Sequence, residues 1–521
     1  MMLSQLLSAV HLILESSTTP TNLPQEIYLP SLQVERHNVY FIYRTPAEKF
    51  LVVYEDRLKI QDFQLEEVLG EGNQALGLAK LSAANQKVLA TRFPWILPVS
   101  RQGYKYSFGL GDRLGNAGNA HLQLFKGRGV LPVLAQQSIR ELTLTGRTFT
   151  EVLLDASWSV FEEGYQDGWG ADGDHVKHPY EVDYAVQTGY TMITLDASEV
   201  IHNEIAELSD EELAARFNQL TPELKEYFVN TYVGQTFDLG HGVSVSVTEK
   251  DLQQSVLIFF DAVQFAKKIY DEFVVPYNLD FELSMDETIV PTTPANHYFV
   301  ANELHRLGVT PETLAPKFYG EFQKAIDYIG ELPRFEKEYA VHEAIAEHFN
   351  YRLSIHSGSD KLSVYPVIGE VSKAHGWHVK TAGTNWLEAL KVIAVKDPGL
   401  LWEIYRYSYE NIADVKSFYE FKATQETAVK PADVNVADVF DLLLADDSRQ
   451  ILHTMFGSIL NVKENYQYVF RDKFFAILYA NQDLYDHLLH LHIAKHLDLL
   501  QGRAKDKAEV LAKYAFDPKK A

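Results

Sequence analysis

The sequence predicts an α/β fold: a TIM-barrel-like (β/α)8 domain with a helical insertion and a helical C-terminal extension. Strand-like apolar runs alternate with helical segments, which favours parallel strands joined by helices. Four of these runs end in polar segments rich in Gly, Ser or Thr. In a barrel, such residues gather at the carboxyl ends of the strands, where active sites lie. The four segments are GADGDHVK (170–177), SMDET (284–288), HSGSDK (356–361) and HVKTAGT (378–384).

Three regions follow from the pattern of elements. Residues 1–95 are predicted to form a small α/β lead-in, with one helix followed by the strands VYFIYR and FLVVYED. Residues 96–400 carry the barrel, interrupted at about 201–275 by a charged helical insertion. A capping-box pattern at Ser209 and a Thr221-Pro222 pair mark helix starts in that insertion. Residues 401–521 are predicted to be helical and to pack on the barrel.

Eight segments account for the barrel strands. They are YKYSFGLGD (104–112), GVLPVLAQQ (129–137), the run into GADGDHVK, YTMITLDAS (190–198), FELSMDE (281–287), APKFYG (315–320), YRLSIHSGSD (351–360) and WHVKTAGT (377–384). A helix is predicted over 148–161, with Thr150 as its cap. In the C-terminal region Leu484, Leu488 and Leu491 recur at helical spacing, which predicts one buried helix face.

Composition narrows the classes of function. The 521 residues suit one elaborated barrel, because barrels with insertions run long as single domains. A net charge of −24 opposes binding to nucleic acid and gives no support for docking on an anionic membrane. The absence of cysteine excludes disulfides and fits a cytoplasmic protein. No apolar run is long enough for a transmembrane helix. From the charge and the apolar runs together, we expect neither a nucleic-acid nor a membrane partner.

Strand alternation predicts a polar barrel interior. Within FELSMDE, Glu282, Ser284 and Asp286 share the face opposite to the apolar residues. The same alternation turns His356 and Lys380 inward from their strands. Buried polar groups cost free energy unless they are bonded or ligated. Imidazole and carboxylate together suit Zn²⁺, Mn²⁺, Ni²⁺ or Fe²⁺, so the pattern predicts a divalent metal site.

The candidate ligands are three histidines and one acid. They are His175, His356 and His378, with either Asp286 or Glu287. Alternation favours Asp286, whereas a strand ending at Asp286 would let Glu287 turn over the rim. The alternative is that these histidines are hydrogen-bonded core residues.

Further polar motifs allow both a functional and a structural interpretation. In the segment QQSIRE (136–141), Arg140 could clamp a carboxylate and Glu141 could act as a general base. The structural interpretation of this segment is a capped helix start with an Arg/Glu pair. GLGDRLG (109–115) fits neither dinucleotide nor Walker phosphate loops. We interpret His492 and His496, like His342 and His348, as a solvated or interface face, because no acid of the HExxH kind adjoins them.

Taken in order, the motifs resemble the tagaturonate epimerase family from about residue 100 to the C-terminal helices. The matching segments are GDRLG, PVLAQQSxRE, GADGDHVK, SMDET, HYFVANEL, LAPKFYGEFQKAIDYIG, HSGSDKLSVYP and HVKTAGTNWLEAL. The chain departs from the family pattern at Gly173 and His178 in the usual GADADHLKT. It also departs at Lys317, where the family has arginine, and at Leu362, where it has phenylalanine.

The resemblance implies a metal-dependent isomerase that interconverts D-tagaturonate and D-fructuronate in hexuronate catabolism. The partner would be a small-molecule ketose or keto-uronate, and a homo-oligomer is compatible with the sequence. A D-fructose/D-tagatose 4-epimerase is a close alternative, because the family also acts on neutral ketoses. Two further functions compete with these: a metal-dependent sugar-acid aldolase or isomerase, and a non-catalytic sugar-binding protein.

The reaction sets what the residues must do. The inverted C4 lies β to the ketone, so abstraction of an α proton cannot reach it. Cleavage and re-formation of the C3–C4 bond (a retro-aldol route) is favoured over hydride transfer, because the sequence carries no dinucleotide fingerprint. Acid–base roles are predicted for Glu141, Asp174 and Lys177. Substrate contacts are predicted for Gln136, Gln137, Ser138, Arg140, Ser357, Ser359, Asp360, Lys361 and Lys380.

Overall fold

An antiparallel sheet and one helix form the N-terminal region. The computed structural model describes residues 2–16, 18, 20, 22–45, 48–101, 103–415 and 421–521. The sheet has the strand order β1-β2-β3-β5-β4, so the region holds five strands where the sequence predicted two. The elements are α1 (Met2–Glu15), β1 (Ile27–Glu35), β2 (Asn38–Arg44), β3 (Lys49–Asp56), β4 (Leu65–Glu71), β5 (Gln74–Lys80) and α2 (Ala83–Arg92).

Residue alternation in β2 explains how this sheet is covered. Val39 and Phe41 face α1, where they pack with Val10 in a core of their own. Tyr40 and Ile42 face the other way and join the large core that surrounds the barrel. The central strands β2 and β3 are therefore buried on both faces, which accounts for their nearly continuous apolar runs.

The central region is a closed barrel of eight parallel strands, as predicted. Its strand order is β12-β13-β14-β15-β6-β7-β8-β9. The elements in chain order are β6 (Ser107–Gly111), α3 (Gly118–Phe125), β7 (Leu131–Ser138), α4 (Ile139–Thr145), α5 (Phe149–Glu162), β8 (Gly170–Val176), α6 (Pro179–Thr188), β9 (Met192–Asp196), α7 (Asp210–Phe217), α8 (Pro222–Tyr232), β10 (Thr236–Gly240), β11 (Val243–Ser246), α9 (Glu249–Ile269), α10 (Val275–Tyr277), β12 (Asp280–Met285), α11 (Pro294–Arg306), β13 (Thr313–Pro316), α12 (Leu332–His348), β14 (Arg352–Ile355), α13 (Tyr365–Val371) and β15 (Trp377–Ala382).

Two predicted boundaries in the barrel are shifted. The strand expected at 315–320 occupies Thr313–Pro316, because the backbone N–H of Lys317 leaves the sheet and donates to Thr292 Oγ1 at 3.0 Å. Helix α5 is capped by Thr148 rather than Thr150. The Thr148 side chain accepts from the backbone of Glu151, whose carboxylate accepts in return from the backbone of Thr148, which completes a capping box.

The insertion between β9 and β12 contains helices and one hairpin. Ser209 and Thr221 cap α7 and α8 as predicted, each accepting from a backbone N–H in the first turn. Strands β10 and β11 pair as an antiparallel hairpin that the sequence did not predict. The long helix α9 buries Leu252, Val256 and Phe259 on the face turned toward the barrel.

The C-terminal region is helical and has its own core. Its elements are α14 (Thr384–Lys396), α15 (Pro398–Glu410), α16 (Asp446–Thr454), α17 (Phe456–Asn461), β16 (Lys463–Glu464), β17 (Gln467–Tyr468), α18 (Arg471–Ala480), α19 (Gln482–Leu500) and α20 (Lys507–Lys513). Most of its helices pack around Trp386, Leu401 and Phe474, whereas α20 and the end of α19 join the core around the barrel. No helix in the described part of the chain combines the length and apolar character needed to cross a bilayer.

The predicted face of α19 is only partly right. Leu488 is buried, whereas Leu484 and Leu491 are half-buried. His492 and His496, predicted to lie on a solvated or interface face, are buried within the chain, because the helix turns them toward the barrel. His496 Nε2 accepts from the backbone N–H of Asp360 at 3.0 Å, which offsets its loss of solvent.

The histidines of α12 divide in the same way. His342 was predicted to lie on a solvated or interface face but is buried within the chain, with its Nδ1 at 2.9 Å from Nδ1 of His297. His348 is exposed.

Glu162 at the end of α5 joins the N-terminal sheet to the barrel. Its buried carboxylate accepts from Arg44 Nη2 at 2.7 Å and from Lys49 Nζ at 2.9 Å. Asn119 at the start of α3 donates to the same carboxylate at 2.9 Å. Burial raises the pKa of Glu162, but Lys49 and Arg44 more than offset this and lower it below its usual value.

We predict that Glu162→Gln lowers the free energy of unfolding by about 1–3 kcal/mol, because two cations lose the charge that they face. This loss in the free energy of unfolding is smaller than the loss expected for a fully buried ion pair, since both cations are a third or more exposed. Glu338→Gln, which breaks the exposed pair with Arg334, is the control and should have a smaller effect. Chemical denaturation of both variants measures the difference, and equal losses would contradict this view of the junction.

Candidate active site

A cavity lies at the carboxyl ends of the barrel strands. It encloses roughly 660 Å³, part of it open to solvent. Each of the four polar segments that end strands in the sequence contributes to its wall, together with α4, the segment after β13, and α16 from the C-terminal region. The lining residues are Arg113, Gln136, Ser138, Arg140, Glu141, Asp174, His175, Asp286, Glu287, Lys324, Ala325, His356, Ser357, Ser359, Lys380 and His453.

Three of the predicted ligands come together in this cavity. His175, Asp286 and His356 each offer one ligand atom, and these atoms lie within 4.8 Å of one another. The rings of His175 and His356 have centroids 4.9 Å apart. Two imidazoles and a carboxylate form a donor set that suits a divalent transition metal. His175, Asp286 and His356, called the ligand group below, therefore fit a divalent transition-metal ion.

The other two predicted ligands lie outside this group. Glu287 is exposed and lines the cavity, so the strand alternation that favoured Asp286 agrees with the geometry. His378 points into the barrel but does not line the cavity. Its Nδ1 lies 2.8 Å from Ser107 Oγ, and its Nε2 has no hydrogen-bond partner among the described residues.

His175 takes an unusual backbone conformation at the end of β8. Its φ is +52°, in the left-handed region that residues with a Cβ seldom adopt. Its Nδ1 lies 2.8 Å from Asp174 Oδ1. Because Asp174 is ionised, Nδ1 is the donor in this pair, which leaves Nε2 as the ring atom available to a ligand.

A buried lysine organises the floor of the cavity. Lys380 Nζ lies 2.7 Å from Asp172 Oδ2, 2.7 Å from Asp174 Oδ1 and 3.1 Å from Glu282 Oε1. Burial lowers the pKa of Lys380, but the three carboxylates outweigh burial and raise it well above its usual value. The ammonium therefore stays charged, and its donors are directed at the protein's own acids.

Carboxylates also contact the two histidines of the ligand group. Glu282 Oε1 lies 2.6 Å from His356 Nε2, and Asp286 Oδ1 lies 3.1 Å from His356 Nδ1. Burial lowers the pKa of His356, but Asp286 and Glu282 raise it to about 10. Burial likewise raises the pKa of Asp174, while Lys380 and His175 hold it well below its usual value. Acids next to ligating histidines are the usual device for fixing their orientation.

A second set of side chains lines the cavity beside the first. Arg113 donates to Glu141 Oε1 from Nε at 3.0 Å and from Nη2 at 2.6 Å. Lys324 Nζ donates to Ser357 Oγ at 2.8 Å. Several buried polar atoms of the wall have no hydrogen-bond partner among the described residues, as a site for a molecule rich in hydroxyl groups requires. They are Arg113 Nη1, Gln136 Oε1, Glu141 Oε2, Ser359 Oγ and both ring nitrogens of His453.

Some residues predicted at the site lie away from the cavity. Lys177 donates to Ser198 Oγ at 2.8 Å. Lys361 is buried and donates to the backbone carbonyls of three residues in two neighbouring segments. Asp360 pairs with Arg449 at 2.8 Å, and Gln137 is buried without lining the cavity. Direct contact of these four side chains with a substrate does not follow from their positions.

Five residues of the site were not among the candidate site residues, although Glu282 was predicted to face the barrel interior. Asp172 and Glu282 share the inward face with predicted residues, so alternation was a signal for both. Arg113 lies in the GDRLG segment, directly after a strand. Lys324 lies within the family-like segment LAPKFYGEFQKAIDYIG, but neither its irregular segment after β13 nor the position of His453 on a helix outside the barrel indicated a residue of the cavity wall.

Comparison with known proteins shows which family the chain is similar to. The family model described as "UxaE: tagaturonate epimerase" matches residues 28–500. A tagaturonate/fructuronate epimerase of Thermotoga maritima is 36% identical over 482 residues, which cover 92% of this chain and 97% of that protein. Crystal structures of the fructuronate-tagaturonate epimerase UxaE from Cohnella laeviribosi, native and with glycerol, superpose with a TM-score of 0.87 at 38% identity. The match covers 91% of this chain and 96% of that one. The resemblance seen in the motifs is thereby confirmed, and the chain belongs to the tagaturonate epimerase family.

Proposed function

We propose that this protein interconverts D-tagaturonate and D-fructuronate by inverting C4 of the ketose with the help of a divalent metal ion. The observation that carries the proposal is the meeting of His175, Asp286 and His356 with Glu141 in one cavity at the carboxyl ends of the strands. The names of the relatives from Thermotoga maritima and Cohnella laeviribosi support the choice of substrate.

The ligand group supports the metal requirement. His175, Asp286 and His356 would hold the ion, which when bound supplies Lewis-acid polarisation of the ketone and its neighbouring hydroxyl. His356 carries a proton between two carboxylates when no cation is bound, so it must lose that proton to become a ligand. Lys380 balances the acids behind the histidines and keeps their orientation fixed.

Glu141 is suited to move the proton of the substrate's C4 hydroxyl. Its Oε1 is held by Arg113, while the buried Oε2 lines the cavity without a partner among the described residues. A carboxylate fixed at one oxygen and free at the other is well placed as a general base. Asp174 is a weaker base because its pKa is low, and we assign it to positioning His175.

The bond changes follow from the substrate's structure. When the C4 hydroxyl loses its proton, the C3–C4 electron pair moves toward the C2 ketone. The products of this cleavage are a three-carbon enediolate and a three-carbon aldehyde that carries the carboxylate. Rotation of the aldehyde presents its other face, the C3–C4 bond re-forms, and the new C4 oxygen takes the proton back. Atoms and charges balance without a further reactant.

Turnover tests the proposal directly. We expect the chelator-treated protein to lose nearly all conversion of D-tagaturonate and to regain it with Zn²⁺, Mn²⁺ or Ni²⁺. D-fructose, assayed in parallel, should react more slowly. Asp286→Asn should lower turnover at least about 100-fold, more than is usual for a residue that only contacts a metal ligand. Glu287→Gln should lower turnover less. Full activity of the metal-free protein would remove the proposed ligand group.

The route of inversion has its own test. Retro-aldol cleavage predicts that an aldehyde-trapping hydrazine, added during turnover, captures a three-carbon hydroxy-aldehyde acid. It also predicts no primary isotope effect from deuterium at C4, because the C4–H bond is never broken. Hydride transfer predicts the reverse on both counts. Continuous release of the fragments without epimerised product would instead indicate an aldolase.

A further inference from the structure

Lys324 and His453 form a part of the cavity that the proposed chemistry does not use. Lys324 lies in the segment between β13 and α12, and His453 lies on α16, outside the barrel. Both line the same cavity as the ligand group. Helix α16 packs against the segment that carries Lys324 through two side-chain hydrogen bonds, so both residues belong to one part of the wall.

Lys324 is a cation without an acid of its own. Its Nζ donates to Ser357 Oγ, a neutral acceptor, and among the described residues no carboxylate forms an ion pair with it. Burial, followed by the nearby Arg140 guanidinium, lowers the pKa of Lys324, and the carboxylates of Glu141 and Glu287 offset this only in part. Such a site gains free energy by taking in an anion.

His453 offers a hydrogen-bond donor at the same place. It is 1% exposed, and neither ring nitrogen has a partner among the described residues. Burial, and then the cations Arg113 and Lys324, keep the pKa of His453 well below its usual value. The ring is therefore neutral, with one N–H to donate and one nitrogen to accept.

The surrounding contacts hold both residues in place. Gln450 on α16 donates to the backbone carbonyl of Lys324 at 3.1 Å, and Arg449 donates to that of Ala325 at 2.8 Å. Lys361 donates to the carbonyls on either side of this pair, at 2.7 Å for Gln323 and 2.6 Å for Ile326. The segment that carries Lys324 is thus fixed from two sides, as a preorganised binding site requires.

We propose that Lys324 and His453 bind the C6 carboxylate of the uronate, and that they are the residues that distinguish uronates from neutral ketoses. This inference rests on the proposed function and names the part of the cavity that recognises the acid end of the substrate. An ammonium and an imidazole N–H on one carboxylate make a charge-assisted pair of hydrogen bonds.

Lys361 and Lys380, which the sequence predicted to contact the substrate, are committed elsewhere. Lys380 is surrounded by three carboxylates, and Lys361 is saturated by three carbonyls. Arg140 is exposed at the cavity wall, where it adds positive potential. Lys324 lines the cavity and forms no ion pair with a carboxylate among the described residues, so a substrate carboxylate is a ligand that suits its ammonium.

The test uses the metal-loaded protein and its variants Lys324→Gln and Lys324→Arg. Loss of the charged hydrogen bond should lower kcat/KM for D-tagaturonate about 10- to 100-fold, mainly through KM. The inhibition constant of D-tagatose against that reaction should change less than about threefold, because the neutral ketose has no carboxylate. Lys324→Arg should restore part of the loss, and His453→Phe should raise KM for the uronate in the same selective way.

The matched control is Lys422→Gln, which removes an exposed lysine paired with Glu321 outside the cavity. It should leave kcat/KM for D-tagaturonate and the inhibition constant of D-tagatose unchanged. A loss in Lys324→Gln that affects D-tagatose equally, or that appears in kcat alone, would overturn the proposed subsite.

Thermal unfolding with and without D-tagaturonate separates this inference from the proposed reaction. We expect the uronate to raise the Tm of the wild type more than that of Lys324→Gln. If the wild type gives no turnover yet shows this difference, the reaction is wrong and the subsite stands. If the uronate protects both proteins equally, or neither, the subsite is wrong.

Discussion

One buried ammonium sets the conditions for the rest of the site. Lys380 faces three carboxylates inside the barrel, where layers of branched apolar side chains are the usual filling. Without its charge, those acids would have to take up protons or lose their positions, since unpaired buried charge is costly. Two of them, Asp174 and Glu282, contact His175 and His356 directly. The orientation of the ligand group is therefore a consequence of charge balance in the barrel interior.

The C-terminal helices complete the cavity rather than merely covering the barrel. Helix α16 supplies His453 to the wall. Its Arg449 and Gln450 donate hydrogen bonds to backbone carbonyls of the segment that carries Lys324. Arg449 also binds Asp360, at 2.8 Å, in the loop that carries His356 and Ser359. Barrel and extension are thus joined at the site itself, and the family match includes both.

The barrel and half of the site could be predicted from the sequence because they depend on local pattern. Strand alternation turned Glu282, Asp286 and His356 inward, and parallel strands brought the polar ends of distant segments together. Other features depend on tertiary packing, which the local sequence pattern does not predict. His492 and His496 carry no local sign that α19 faces the barrel, and Lys361 lies in a matching motif although its ammonium is bound by backbone carbonyls. Lys324 and His453 belong to segments whose positions depend on the whole fold.

Anomalous diffraction from crystals of the protein loaded with Zn²⁺ tests the central claim most directly. The account predicts a peak at the zinc edge about 2.0–2.2 Å from a nitrogen of His175, a nitrogen of His356 and an oxygen of Asp286. It also predicts that Lys380 remains within hydrogen-bonding distance of Asp174 and Glu282 in that structure. A stoichiometric, active zinc enzyme whose peak lies away from these three side chains would contradict the account.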